Sequence, residues 1–262
     1  MNYYRIKIQY DGTGYYGFQW QKDLPTIQND INLTLEKLVP GKITTMGASR
    51  TDTGVHALEQ YVKITSENEI SDPGIIAQFK LSLPPQIRCL EFIPCAGDYR
   101  PNHSVRKEYI YLFTNTIGDN HTTRRFIANN PYPLDLEAMK TCVAALEGKH
   151  DFHNFVSTGS NVKSTEREIT FCELSVIDPK SIFGDSDLFV LEDNLGKVYQ
   201  LKFEASGFLK QMIRHLMTAL WKVGNGRITV EEFLNLLDGP KKQKSLWKVA
   251  HPKGLFLYRI RY

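Results

Sequence analysis

Gly47-Ala48-Ser49-Arg50-Thr51-Asp52-Thr53-Gly54-Val55-His56-Ala57 is a polar loop between two stretches with strand character, 43–46 and 58–64. Asp52-Thr53-Gly54 on its own is the tripeptide of aspartic proteases. That chemistry needs two carboxylates sharing one proton inside an apolar frame. Here Arg50 stands two residues before Asp52, and a guanidinium so close favours an ionised carboxylate and opposes a shared proton. The loop therefore suits a single charged carboxylate acting as a nucleophile. The plainer reading is a turn residue ahead of Gly54, where Asp-x-Gly is common. Taken alone, the triplet favours the turn.

Toward the amino terminus, Tyr4, Ile6, Ile8 and Tyr10 alternate with Arg5, Lys7 and Gln9. Period two marks a half-buried strand with one basic face. Gly12, Gly14 and Gly17 then form a GxGxxG run. A dinucleotide or kinase loop would need those glycines to open a helix directly, so that its amino end meets phosphate. Here the helix starts only after Pro25, and Tyr15, Tyr16 and Phe18 crowd the approach. Thr26 caps a helix carrying Ile27, Ile31, Leu35 and Leu38 on one face. Past the loop, a short helix is expected near 74–82 and a strand near 87–93, with Pro84-Pro85 between them.

The second half repeats this grammar without visible sequence identity. A strand is expected at 109–113, so Tyr109 and Tyr111 share one of its faces. Asp135 caps a helix with Met139, Cys142, Val143 and Leu146 on one stripe, and Gly148 lies past its end. Strands follow near 170–176, 187–192 and 198–205, then a helix over about 208–223. On that helix Arg214 lies about 200° around from Met212, off the core-facing stripe of Phe208, Met212, Ala219 and Val223. The plain reading of Arg214 is then a solvated face. Thr229 and Glu232 form a capping box for a helix that stops at Gly239-Pro240, and a last strand closes the chain. Strands and helices mixed without strict βαβ alternation predict an α+β fold with sheets covered on one face. Residues 97–106 are polar and aperiodic, which divides the chain into an amino-terminal domain, 1–103, and a carboxy-terminal domain, 104–262.

Of 262 residues, 42% are hydrophobic, enough for a sizeable core. Lys and Arg number 32 against 29 Asp and Glu, a net +3 that permits a polyanionic partner without arguing for one. Cys89, Cys95, Cys142 and Cys172 form no CxxC and no Cys/His cluster of zinc spacing, so no metal is expected. They read as core thiols of a reducing compartment. No basic segment leads into an apolar one at the start, and no apolar run approaches ~18 residues. The expected location is cytoplasmic.

The 47–57 stretch resembles the G-[AS]-G-R-T-D-x-G-V-H-A loop of the TruA family of tRNA pseudouridine synthases. The resemblance continues along nearly the whole chain. Tyr10-Asp11-Gly12 through Tyr15-Tyr16-Gly17-Phe18-Gln19 is similar to the family's YDG…YxGwQ, and Ile27-Gln28 to the start of its first helix. Lys107-Glu108-Tyr109-Ile110-Tyr111 is similar to [KR]-x-Y-x-Y, and Phe208-Leu209 with Met212-Ile213-Arg214 to F-[LV]-x-x-M-[VI]-R. Ala250 and Gly254-Leu255-Phe256-Leu257 resemble the family's closing motif. The match departs at Ser49, where the family has Gly; at Lys80, where it has Asn; and at Tyr99-Arg100-Pro101-Asn102, which replaces Phe-His-Ala-Arg and is one residue short.

The resemblance implies a pseudouridine synthase fold of two similar halves flanking a basic cleft. It also implies a homodimer whose tRNA contacts both subunits, no metal or organic cofactor, and uridine targets at roughly positions 38 to 40 of the anticodon arm. Asp52 matches the catalytic Asp, Arg50 and Arg214 the arginines near it, and Tyr109 the active-site tyrosine that stacks on the base or accepts its C5 proton. His56 reads as a loop-shaping or RNA-contacting residue. The target base must be flipped out of its stack, and Arg5, Lys7, Arg106, Lys107, Lys210 and Lys222 are candidate phosphate contacts. Lys241-Lys242-Gln243-Lys244 reads as a solvated loop. Two rival classes are a non-catalytic RNA-binding protein or chaperone, and a glycosidase. The glycosidase needs a second carboxylate, and no partner for Asp52 is visible.

Overall fold

A computed structural model describes residues 1–115, 125–157, 162–178, 180–184, 186, 188–190, 197–238, 240 and 247–262. The chain divides into two compact units. The first comprises 1–105, 187–189 and 256–262, and the second 106–186 and 190–255. Against the expected domains 1–103 and 104–262, the last strand belongs with the first unit. It pairs there in parallel with a strand far away in sequence, Phe256 opposite His56 and Leu257 opposite Ala57.

In the first unit the strands are β1 (Asn2–Tyr10), β2 (Ile43–Gly47), β3 (His56–Ser66) and β4 (Ile87–Pro94), joined by the carboxy-terminal Leu255–Arg261 from Phe256 onward. β1 pairs antiparallel with β4 on one side and with β3 on the other. The far edge of β3 is shared: β2 pairs with its last five residues and the carboxy-terminal strand with its first two. The alternation expected for β1 is present, with Tyr4, Ile6, Ile8 and Tyr10 buried. Helix α1 (Ile27–Leu38) begins where Thr26 accepts a hydrogen bond from Asn29 N, and it buries Ile27, Ile31 and Leu35. Helix α2 (Pro73–Ser82) is capped by Asp72, with Pro73 in the first turn, where a missing N–H costs nothing. The polar stretch 97–105 is tied down. Gly97 O and Tyr99 O accept from Lys63 Nζ, Pro101 O accepts from the Tyr262 hydroxyl at 2.8 Å, and Val105 N donates to Arg261 O at 2.8 Å.

In the second unit β5 (Arg106–Thr114), β6 (Ala128–Asn129), β7 (Gly148–Asp151), β8 (Glu166–Ile177) and β9 (Val198–Ala205) pair in the order β5-β9-β8-β7, antiparallel throughout. The short β6 adds in parallel to β5. The helices are α3 (Leu136–Ala144), the single turn α4 (Lys180–Phe183), α5 (Met212–Gly224) and α6 (Val230–Asp238). Asp135 caps α3 through Glu137 N and Ala138 N, as expected. The fold is α+β.

Two expectations need correction. Of the strand expected near 187–192, residues 188 and 189 are turn and bend, 190 is irregular, and 187, 191 and 192 lie outside the described residues. The helix expected from 208 starts four residues later, because Gln211 takes a left-handed backbone, φ 59°, and breaks the helical path. Gly239 and the run 241–244 also lie outside the described residues.

The capping box ahead of α6 is reciprocal. Thr229 N donates to Glu232 Oε2 at 2.8 Å, and Glu232 N to Thr229 Oγ1 at 3.1 Å. Thr229→Ala is expected to lower stability by about 1 kcal/mol, read as a shifted urea midpoint with an unchanged slope.

Candidate active site

The loop holding Asp52 is framed by the loop that leaves β1. Phe18 N donates to Thr51 O at 3.2 Å, Gly54 N to Tyr15 O at 3.1 Å, and Tyr15 N to Gly12 O at 3.0 Å. Backbones this close leave no room for side chains. A Cβ on Gly12 would stand 2.1 Å from Val55 O, and one on Gly17 2.6 Å from Thr51 O. Gly17 also has φ +93°, as a glycine readily does. The GxGxxG run is thus a packing device, and the partner its backbone approaches is the Asp52 loop. Gly47, at the loop's start, makes room for the Phe18 ring, which a Cβ would meet at 2.2 Å.

Buried polar groups complete the frame. The Tyr10 hydroxyl and Thr51 Oγ1 are 2.8 Å apart. The Gln60 side chain, buried on β3, accepts from Ser49 N at 3.1 Å and donates to Ser49 O at 2.6 Å. Both bonds use the Ser49 backbone, which is not left-handed, so neither needs the family's glycine there. Val55 N donates to Asp52 O at 3.1 Å, closing the turn.

His56 is 0% exposed. Its ring stacks on Phe256, centroids 4.8 Å apart, with the Phe189 ring edge-on at 6.5 Å. Asp11 Oδ1 lies 3.1 Å from His56 Nδ1, and Gly12 N lies 3.0 Å from the same nitrogen. Gly12 N–H donates to Nδ1 while Asp11 stands against the same nitrogen, so the ring ties the loop after β1 to the start of β3. Burial would push the Asp11 carboxyl up, but the bonds from His56 and Thr13 outweigh it and hold the group below its ordinary value. His56 therefore holds the loop from inside. Of the two roles expected of it, shaping the loop and touching RNA, the first is the one its burial supports.

Asp52 itself is half-buried and Arg50 is exposed. Arg5 and Lys7, on β1, are each engaged with a carboxylate, Arg5 with Glu91 at 2.6 Å and Lys7 with Glu59 at 2.5 Å.

In the second unit Tyr109 is 7% exposed on β5, its ring edge-on to Phe208 at 5.2 Å. Tyr111, on the same face, donates its hydroxyl to His251 O at 2.8 Å, and burial raises its pKa. Arg106 pairs with Glu204 at 3.1 Å. Lys107 is half-buried, and burial lowers its pKa. Lys210 is exposed, and Lys222 lies over the Trp247 ring at 4.9 Å.

Arg214 is corrected from a solvated residue to a buried one. It is 7% exposed, with Nε donating to Ala250 O at 2.7 Å. The reason is that α5 is covered on nearly every side, burying Met212 through Met217 as well as Ala219, Leu220 and Val223. The stripe argument gave Arg214's direction and could not say what covers that direction.

Sequence reasoning missed Gln60, Ser157 and Gln211. Ser157 Oγ bonds to Gln211 Oε1 and lies 3.3 Å from His215 Nε2. Left-handed backbone costs a non-glycine residue on the order of 1–2 kcal/mol, and a glutamine carries no sign of it in sequence. Among the described residues, no group of three or more His, Cys, Asp or Glu could hold a metal ion, and no helix is long and apolar enough to cross a membrane.

Comparison with known proteins agrees with these motifs. The family described as tRNA pseudouridine synthase matches residues 142–262. A protein of Desulfotalea psychrophila named tRNA pseudouridine synthase A 2 is 35% identical over 272 residues, spanning 99% of this chain and 98% of that one. A tRNA pseudouridine synthase A of Streptococcus pneumoniae is 32% identical over 265 residues, spanning 100% and 99%. Among solved structures, a Cbf5-Nop10-Gar1 complex aligns with a TM-score of 0.33 at 12% identity, covering 83% of this chain and 45% of that one, a likeness too slight to argue from.

The glycine contacts separate two substitutions. Gly12→Ala drives a methyl into Val55 O, whereas Gly14→Ala meets nothing within 4 Å and strains only its own backbone, φ +83°. Both are expected to lose stability, by about 1–3 kcal/mol for crowding and about 1–2 kcal/mol for the left-handed alanine. Hydrogen exchange at Gly54 N, which donates across the two loops, is expected to speed up in Gly12→Ala and to stay unchanged in Gly14→Ala.

Proposed function

The chain belongs to the tRNA pseudouridine synthase A family and is an isomerase that makes pseudouridine in tRNA, and from that premise we propose that Asp52 is its nucleophile. The reaction breaks the N1–C1′ bond of uridine, turns the base, and joins C1′ to C5. The C5 proton leaves and N1 gains one, with no net redox change and no hydrolysis. A single ionised carboxylate serves this: it attacks the ribose–base unit, holds it while the base turns, and is expelled when the new bond forms. What supports Asp52 in the role is its frame. Its loop is locked by a buried bond on Thr51 and part-buried bonds on Ser49, while Asp52 itself stays half-exposed.

Arg50 and Arg214 are proposed to bind the carboxylate or the phosphates around the target nucleotide, a task for which a planar fork of donors is suited. Tyr109 is proposed to stack on the everted base and to accept its C5 proton. The target uridine lies in the anticodon arm and is flipped out of its stack to react. Lys210 is the basic residue most open to a phosphate, being exposed. Lys107 is half-buried, and Arg5, Lys7 and Arg106 would share their cations between a phosphate and the carboxylates they already bind. The enzyme works in the cytoplasm and as a homodimer. Sedimentation at assay concentration is expected to give twice the mass of one chain, and a single-chain mass removes the dimer from the proposal.

Tritium release from C5-labelled uridine in tRNA tests the nucleophile. Asp52→Ala is expected to release none while binding tRNA about as well as the parent. Release by Asp52→Ala at a rate near the parent's excludes Asp52 as nucleophile. Mapping pseudouridine in tRNA from cells lacking the protein shows whether the lost sites lie in the anticodon arm.

A further inference from the structure

The start of α5 is held by a small, half-buried cluster that the reaction itself does not use. Gln211, the residue before the helix, has φ 59° and ψ 11° and no side-chain bond capping the helix. Left-handed backbone in a non-glycine residue persists only where its surroundings impose it, and such residues gather at working sites. Here the imposing residue is Ser157, which follows the short helical turn Phe152–Phe155. Ser157 N donates to Lys210 O at 3.3 Å, its hydroxyl donates to Gln211 Oε1, and its Oγ lies 3.3 Å from His215 Nε2. The three contacts reach residues 210, 211 and 215, on both sides of Arg214.

One proton placement satisfies the three groups together. Ser157 has one hydroxyl proton, and it goes to Gln211 Oε1, so the bond to His215 needs a proton on Nε2. Burial, and then the charge of Arg214, push the His215 ring down to about 4. The ring is therefore neutral at neutral pH and can carry its single proton on Nε2. The resulting line, His215 to Ser157 to Gln211, fixes the first turn of α5. From that turn Arg214 extends to Ala250 O, and Ala250 N returns a bond to Arg214 O at 3.3 Å.

We propose that Ser157 and Gln211 are positioning residues for Arg214, holding the left-handed entry to α5 so that the guanidinium stands where the reaction needs it. This rests on the reading of Arg214 as a working residue. It assigns Ser157 and Gln211 no contact with the substrate. They act through the helix they anchor.

Three variants test it, by tritium release and thermal melting on the full chain. Ser157→Ala removes the hydroxyl. Gln211→Gly removes the acceptor while supplying the residue that adopts left-handed backbone without strain, so it is expected to fold at least as stably as the parent. Both are expected to lower kcat by about 10- to 100-fold, the scale of a small misplacement, with KM within about twofold. Ser157→Thr, which keeps the hydroxyl, is expected to restore most of kcat. The reference is Arg214→Ala. If Arg214→Ala loses activity while Gln211→Gly and Ser157→Ala keep the parent's kcat, the positioning role is overturned and the arginine reading stands. If Arg214→Ala keeps the parent's kcat, the arginine reading itself is overturned. A fall in kcat that only tracks the loss of folded protein, or a rise in KM at unchanged kcat, also overturns the proposal.

Discussion

Two backbones lie against each other in the first unit, and the place of the Asp52 loop follows from how close they are. Val55 O and Thr51 O occupy the space that side chains on Gly12 and Gly17 would fill. Hydrogen bonds from Phe18 N to Thr51 O and from Gly54 N to Tyr15 O then cross the gap. A close-packed interior transmits such contacts stiffly. The Asp52 loop therefore inherits its place from β1, through the loop that leaves it. β1 is itself fixed by neighbours on both sides, β3 and β4. The polar bonds at Thr51, Ser49 and His56 add direction to that contact: each satisfies a group that would be costly to bury alone.

Much of this was legible in sequence, and the failures have physical reasons. Period two gave β1 and Thr26 gave the start of α1, because both signals are local and the structure around them agrees. The aromatic neighbours of the glycine run and its delayed helix set it apart from phosphate loops. Its real partner could not be read, because the approach is to a segment some forty residues on. The return of the last strand to the first unit was hidden for the same reason: a parallel pairing leaves no turn to announce it. The late start of α5 was missed because a left-handed residue is announced in sequence by Gly or Asn, and this one is Gln211. Spacing put Arg214 off the stripe of Met212, Ala219 and Val223, but it says nothing of what covers that side, and Arg214 is buried there.

Arg214 of the second unit is buried, whereas Arg50 of the first is exposed, and a buried guanidinium is costly unless its donors are satisfied. Arg214 meets that demand first with a backbone carbonyl, Ala250 O. That oxygen satisfies the hydrogen-bond requirement of Nε. The neighbouring His215 is held neutral by burial and by that same charge, and so adds no competing cation to the first turn of α5.

The contrast bears on what such an enzyme has to supply. An aspartate of ordinary acidity, pKa near 4, is already ionised at neutral pH. A guanidinium 4 Å away across water adds only about 1 kcal/mol to that state. Charging a nucleophile of this kind is therefore the smaller task. Aim is the larger one, because well-oriented groups can remove on the order of 7–11 kcal/mol from a barrier that free encounter would leave in place. On the reading proposed for Asp52, the design fits that balance. Arg50 is left exposed on the surface of the loop, while glycines, a buried glutamine, a tyrosine–threonine pair and a caged histidine are all given over to keeping the loop in one place.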